Sequence, residues 1–178
     1  MKALNLDELK ALIQKPHTRE YLQCPSLIDG IPRGAISEIS GNGKTQFVAQ
    51  LLKEHPTLRT AWVEEHFSVN PFGLQQMEIK PNQIFFVEAG SDLEWALLQI
   101  LKSQVFPLVV MYANIKDLKS LRRIQLATEK SHVATLWLTP KPQPHWTSSV
   151  QLKVSKVPRT NELNINLYSI NLASTGIS

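Results

Sequence analysis

At 178 residues the chain is long enough for one domain, and a globule of this size removes roughly 70% of its unfolded surface from water. Hydrophobic residues make up 43% and charged residues 19%, which excludes wholesale disorder, and no apolar run approaches a membrane span. A single cysteine, Cys24, excludes an internal disulfide, and the net charge of +4 permits contact with nucleic acid or an acidic protein surface without demanding either. His17, His55, His66, His132 and His145 lack ligand spacing, so no metal site is predicted. Asp7 and Glu8 stand where a secretion signal would need its apolar segment, which predicts cytoplasmic residence.

Leu4, Leu9, Leu12 and Ile13, separated by Asp7, Glu8 and Lys10, predict a short amphipathic helix within residues 1–14, and Pro16 ends it. Residues 1–20 are expected to hold this helix and a linker, residues 21–170 one domain, and residues 171–178 a flexible tail. Ala35 to Ser40 reads as a strand that runs into a glycine pair. A helix follows, with Phe47, Val48, Leu51 and Leu52 on one face and a stop at His55-Pro56. The next strand is Thr60 to Glu65, a helix starts at Pro71, and Gln83 to Val87 is a third strand. Ser91-Asp92-Leu93-Glu94 fits a capping box that opens a helix through Ala96, Leu97, Ile100 and Leu101.

The unbroken apolar run from Pro107 to Tyr112 predicts a central strand covered on both faces. Asp117 to Ser131 predicts a helix with Leu118, Leu121, Ile124 and Gln125 on one side and Lys116, Lys119, Arg123 and Lys130 on another. His132 to Leu138 is a further buried strand, closed by Pro140, Pro142 and Pro144. Alternation then changes period: Val150, Leu152 and Val154, and after a turn Leu163, Ile165 and Leu167, predict a β-hairpin over about 148–170 at the sheet edge. Repeated strand and helix alternation implies an α/β fold with a mostly parallel, helix-covered central sheet. Ligands of such sheets lie beyond the carboxyl ends of the strands, where Gly41–Thr45, Glu64-Glu65 and Asn114 project.

Gly41-Asn42-Gly43-Lys44-Thr45 has the end of a phosphate-binding loop without its middle, since one residue instead of four separates the glycines. In the functional reading Gly41 and Gly43 approach a phosphate, Lys44 neutralises it and Thr45 holds magnesium. In the structural reading a tight strand-to-helix turn uses the same glycines, and any bound anion is incidental. A catalytic base after the second strand would be Glu65, one residue out of register with His66. After Leu108–Met111 come Tyr112, Ala113 and Asn114, where a magnesium-holding aspartate would be needed. A shortened loop, a displaced glutamate and a missing aspartate together predict a protein that is not an enzyme and needs no cofactor; ATP and magnesium belong only to an ATPase reading.

Together these elements resemble the RecA fold. Ile31 to Ile39 is similar to the strand entering the recombinase phosphate loop, and Ala61 to His66 to the strand bearing its glutamate. Leu121-Arg122-Arg123-Ile124-Gln125-Leu126-Ala127-Thr128-Glu129, the strand ending in Leu138-Thr139-Pro140, and the basic hairpin resemble the ImuA/SulA branch, closest to ImuA. That branch serves the bacterial SOS response to DNA damage. The resemblance implies a RecA-like core and a non-catalytic accessory role in translesion synthesis and DNA repair, with repair or polymerase-associated proteins, or RecA itself, as partners. The alternatives are a SulA-type inhibitor that binds the division protein, and an ATP-dependent DNA-binding ATPase. Lys116, Lys119, Arg123, Lys130, Lys153, Lys156 and Arg159 are candidates for a partner or DNA surface, against the plainer reading of a solvated face. Trp146 is the expected interface anchor, Trp137 is expected in the core, and residues 1–14 would pack on their own domain or on a second protomer.

Overall fold

The computed structural model describes residues 20–24, 26–143 and 148–170. Its first elements, β1 (Tyr21–Cys24) and β2 (Leu27–Pro32), form an antiparallel hairpin in a sheet of their own. Leu22 and Cys24 alternate with exposed Tyr21 and Gln23, a period-two pattern too short to be read from sequence. The chain continues through β3 (Ala35–Ser40), α1 (Lys44–Glu54), β4 (Thr60–Glu64), α2 (Pro71–Gln76), β5 (Ile84–Glu88) and α3 (Leu93–Ser103). Then come β6 (Leu108–Tyr112), α4 (Leu118–Ser131), β7 (Ala134–Thr139), β8 (Ser148–Lys156) and β9 (Leu163–Ile170).

The main sheet has the strand order β5-β4-β6-β7-β3-β8-β9. Every neighbouring pair is parallel except β8 and β9, so the expected parallel sheet and its C-terminal antiparallel hairpin are both present. The inner hairpin strand, β8, is also a parallel neighbour of β3. Each face of the sheet carries its own core. Ile39, Trp62, Val110, Leu136 and Leu138 meet Phe47, Val48, Leu51 and Leu52 of α1, Leu74 of α2, and the β1–β2 hairpin. On the other face Ile36, Val63, Val109, Met111 and Trp137 meet Leu97 and Leu101 of α3 and Leu121 and Ile124 of α4. Burial of each such side chain contributes roughly 1.5–3 kcal/mol, so the amphipathic faces decide which side of the sheet each helix covers.

The expected capping box does not form. A 3-10 turn, Gly90–Asp92, precedes α3, whose N-cap Asp92 makes no side-chain cap bond. Glu94 is drawn instead to α4, accepting from Ser120 Oγ at 2.5 Å and Arg123 Nη1 at 3.0 Å. Side-chain caps belong to α2, where Asn70 Oδ1 accepts from the Phe72 amide at 3.0 Å, and to α4, where Asp117 accepts from the Lys119 and Ser120 amides, each at 3.1 Å. Gln83 lies in a 3-10 turn rather than in β5, and its side-chain amide donates to Leu52 O and His55 O, closing the end of α1. His132 takes a left-handed conformation, φ 56°, that ends α4, so β7 begins at Ala134. Among the described residues no helix is long and apolar enough to cross a membrane.

Candidate functional site

The turn Gly41–Thr45 leaves the carboxyl end of β3 and leads into α1, and it is pressed against β8. Gly41 has φ +96°, and a Cβ there would lie 2.3 Å from Val154 O. A Cβ on Gly43 would lie 2.9 Å from Val154 Cγ1 and 3.0 Å from Leu163 Cδ2. The Gly43 amide donates to Val154 O at 3.1 Å, and the Lys156 amide to Asn42 Oδ1 at 3.1 Å. Gln46 and Gln50 of α1 both donate to Asn161 O in the hairpin turn, at 2.8 and 3.0 Å. Close approach of the hairpin is therefore what these glycines allow. The Lys44 ammonium turns back onto its own fold, 3.4 Å from Gly41 O and 5.3 Å from the centroid of the Tyr112 ring. Thr45 beside it is half-buried.

Glu64, expected to project beyond the carboxyl end of its strand, is only 1% exposed. It lies on the α1 side of the sheet with Trp62, whose indole Nε1 donates to Glu64 Oε1 at 2.7 Å, and the Ser68 amide donates to its other oxygen. A carboxylate becomes tolerable there because both oxygens accept hydrogen bonds. Glu65 is exposed and takes another direction. With Ser91, Glu94, Lys116 and Ser120 it lines a cavity of about 250 Å³ at the first turns of α3 and α4, to which the Gly41–Thr45 turn contributes nothing. The structure thus separates Glu65 from Lys44. His66 is exposed, 3.8 Å from Glu88, and Asn114 is exposed beyond β6.

In the cavity wall the Ser120 hydroxyl, and after it Arg123, holds the Glu94 carboxyl below the usual glutamate range. The same hydroxyl contacts Asp117 Oδ2 at 2.9 Å and, with the Lys119 and Ser120 amides, lowers the Asp117 carboxyl. One hydroxyl proton is shared, so the two carboxylates compete for it.

A third acidic residue carries a role that the motifs do not reveal. Glu38, in the middle of β3, is 1% exposed. Its Oε1 accepts from Thr139 Oγ1 and the Gln143 amide, both at 2.8 Å, and its Oε2 from Gln151 Nε2 at 2.7 Å. It thereby ties β3 to the end of β7, to the following connection and to β8. The available signal was a carboxylate inside the otherwise uncharged strand Ala-Ile-Ser-Glu-Ile-Ser.

The basic residues divide. Lys119, Arg123 and Lys130 share an outward stripe of α4, while Lys116 precedes the helix at the cavity. Arg123 Nη1 pairs with Glu94 Oε1 at 3.0 Å. Leu118, grouped with the inward positions by spacing, is 53% exposed at the first turn of α4. Lys153 and Lys156 are exposed but do not form one surface: strand alternation puts Lys156 on the side of Val154 and Lys153 on the opposite side. Arg159 sits in the hairpin turn at φ 65°. Trp137 is buried, its indole donating to Ala113 O at 2.9 Å. Trp146, the amphipathic segment 1–14 and the tail 171–178 lie outside the described residues. Compared with known proteins, the chain matches no family model and no curated protein.

Proposed function

We propose that this chain is a non-catalytic RecA-like protein, similar to the ImuA branch, that works in DNA-damage tolerance by binding repair or polymerase-associated proteins. The strand order supports the RecA-like part of this reading: the glycine turn, Glu64, Glu65 and Tyr112 all come to the carboxyl edge of one parallel sheet. The observation that carries the non-catalytic part is the seating of β8 on the turn, where the Gly43 amide already serves Val154 O.

The residues present do not fit a magnesium nucleotide. Lys44 packs on Tyr112, which stands near the end of the strand where a metal-holding carboxylate would be needed. Glu65 lines a cavity apart from the turn.

The reading is tested with purified protein, by titrating magnesium ATP and measuring hydrolysis with and without single-stranded DNA. Neither binding nor turnover above background is expected. DNA-stimulated turnover that disappears in Lys44→Ala would overturn the non-catalytic reading. In the host, deletion is expected to lower damage-induced mutation frequency. An unchanged frequency, with filamentous growth on overexpression, would point to the division protein as partner instead.

A further inference from the structure

The last strand of the sheet has an unusual symmetry. Residues 163–167 read Leu-Asn-Ile-Asn-Leu, the same in both directions. β9 has β8 on one side and, among the described residues, no strand on the other. Open edges are hazards that proteins blunt with charge, proline or short length, yet β9 spans eight residues with neither a charge nor a proline. The opposite edge, β5, has five residues, ends in the charged Glu88 and lacks such symmetry. The β8–β9 register passes from Leu152↔Leu167 to Gln151↔Ser169, so an irregularity at Tyr168 confines the regular run to the palindromic segment.

The backbone of that run faces outward. Val154 O and the Lys156 amide are both spent on the Gly41–Gly43 turn, on the β3 side of β8. Their β9 partners, Ile165 and Leu163, therefore stand in pairs that exchange no ladder bonds with β8, and they direct N–H and C=O away from it. Alternation gives Leu167 the same direction. Leu163 and Ile165 are half-buried against the core, and Leu167 on the same side is 52% exposed. Asn164 and Asn166 are exposed on the other side.

We propose that β9 is a dimerisation edge, on which two copies of this chain pair antiparallel about a two-fold axis at Ile165. Each Ile165 exchanges backbone bonds with its counterpart, and each Leu163 with Leu167 of the second copy. Leucine then covers leucine, asparagine amides lie beside asparagine amides, and no like charges meet, which is the self-complementarity that an isologous interface requires. The result is one continuous sheet through both protomers. The inference is independent of the functional reading above.

The test is sedimentation equilibrium of the full chain across a micromolar series, with twice the chain mass expected. Asn164→Lys/Asn166→Lys sets lysine against lysine across the axis and should weaken association about tenfold or more. Asn164→Glu/Asn166→Glu should do the same, and mixing the two variants should restore a mixed dimer. Both asparagines are exposed, so circular dichroism should be unchanged. As a check that needs no variant, amide exchange of Leu163, Ile165 and Leu167 should slow as concentration rises. A wild-type monomer throughout, a dimer indifferent to the charge variants, or edge amides equally protected in dilute monomer would each overturn the proposal.

Discussion

Gly41 meets two constraints at once, a φ of +96° and the Val154 carbonyl at the place of a side chain. Gly41→Ala is expected to cost on the order of 3 kcal/mol of stability by urea unfolding, from backbone strain and displacement of β8. An unchanged midpoint would mean that the glycine is kept for some reason other than the hairpin. Glu38 is the second residue on which the fold depends. Glu38→Ala leaves Thr139 Oγ1 and the Gln143 amide without their acceptor and reduces Gln151 Nε2 to its bond with Gln143 O, and about 3 kcal/mol should be lost in the same assay. Glu94 adds a pH dependence. Its folded carboxyl is held low, first by the Ser120 hydroxyl and then by Arg123, so the unfolded chain takes up its proton at higher pH. The resulting stability is present above the ordinary glutamate range and is lost as pH falls through the lowered folded value. The stability gap between wild type and Ser120→Ala should therefore be full at neutral pH and close below about pH 4, read from denaturation midpoints across an acid series.

Among the elements, the β8–β9 hairpin is the piece on which the rest leans. It borders β3, supplies Leu152 and Val154 to the α1 core, and fixes the glycine turn. A chain ending at residue 147 should lose cooperative unfolding and chemical-shift dispersion, because β3 would become a bare edge above an opened core. The hairpin was legible because Val150, Leu152 and Val154 and then Leu163, Ile165 and Leu167 keep a strict period of two. The helices were legible because Phe47 to Leu52 and Leu121 to Ile124 keep the helical period. What stayed hidden depends on contacts distant in sequence. Glu94 matches a capping box locally, but Ser120 and Arg123 take its oxygens, and no neighbouring residue announces them. Glu64 looks like a rim acid until Trp62 and the Ser68 amide are seen to receive it. In the candidate site the glycines and Lys44 were visible as a motif, whereas their true neighbours, Val154 and Tyr112, are brought there only by the sheet.

For the molecule as a whole, the proposed pairing joins two seven-stranded sheets edge to edge, with equivalent faces on the same side. At about 4.8 Å per strand, the joined sheet extends on the order of 65 Å along its hydrogen-bonding direction. Small-angle scattering should show an elongated dimer, while a compact envelope would mean association through another surface. The face covered by α3 and α4 would present the α4 stripe twice, so a partner with two acidic or phosphate sites would be held by avidity. The strand order also dictates when the fold can form. β3 sits between β7 and β8, so Ala35 must await Ala134, and Ile36 must await Ser148. During synthesis, which runs at roughly 5–20 residues per second, β3 leaves the ribosome seconds before either neighbour exists. A nascent chain therefore carries β3 as an unpaired strand while β4, β5 and β6 emerge, and β3 gains its first neighbour only when β7 has been made.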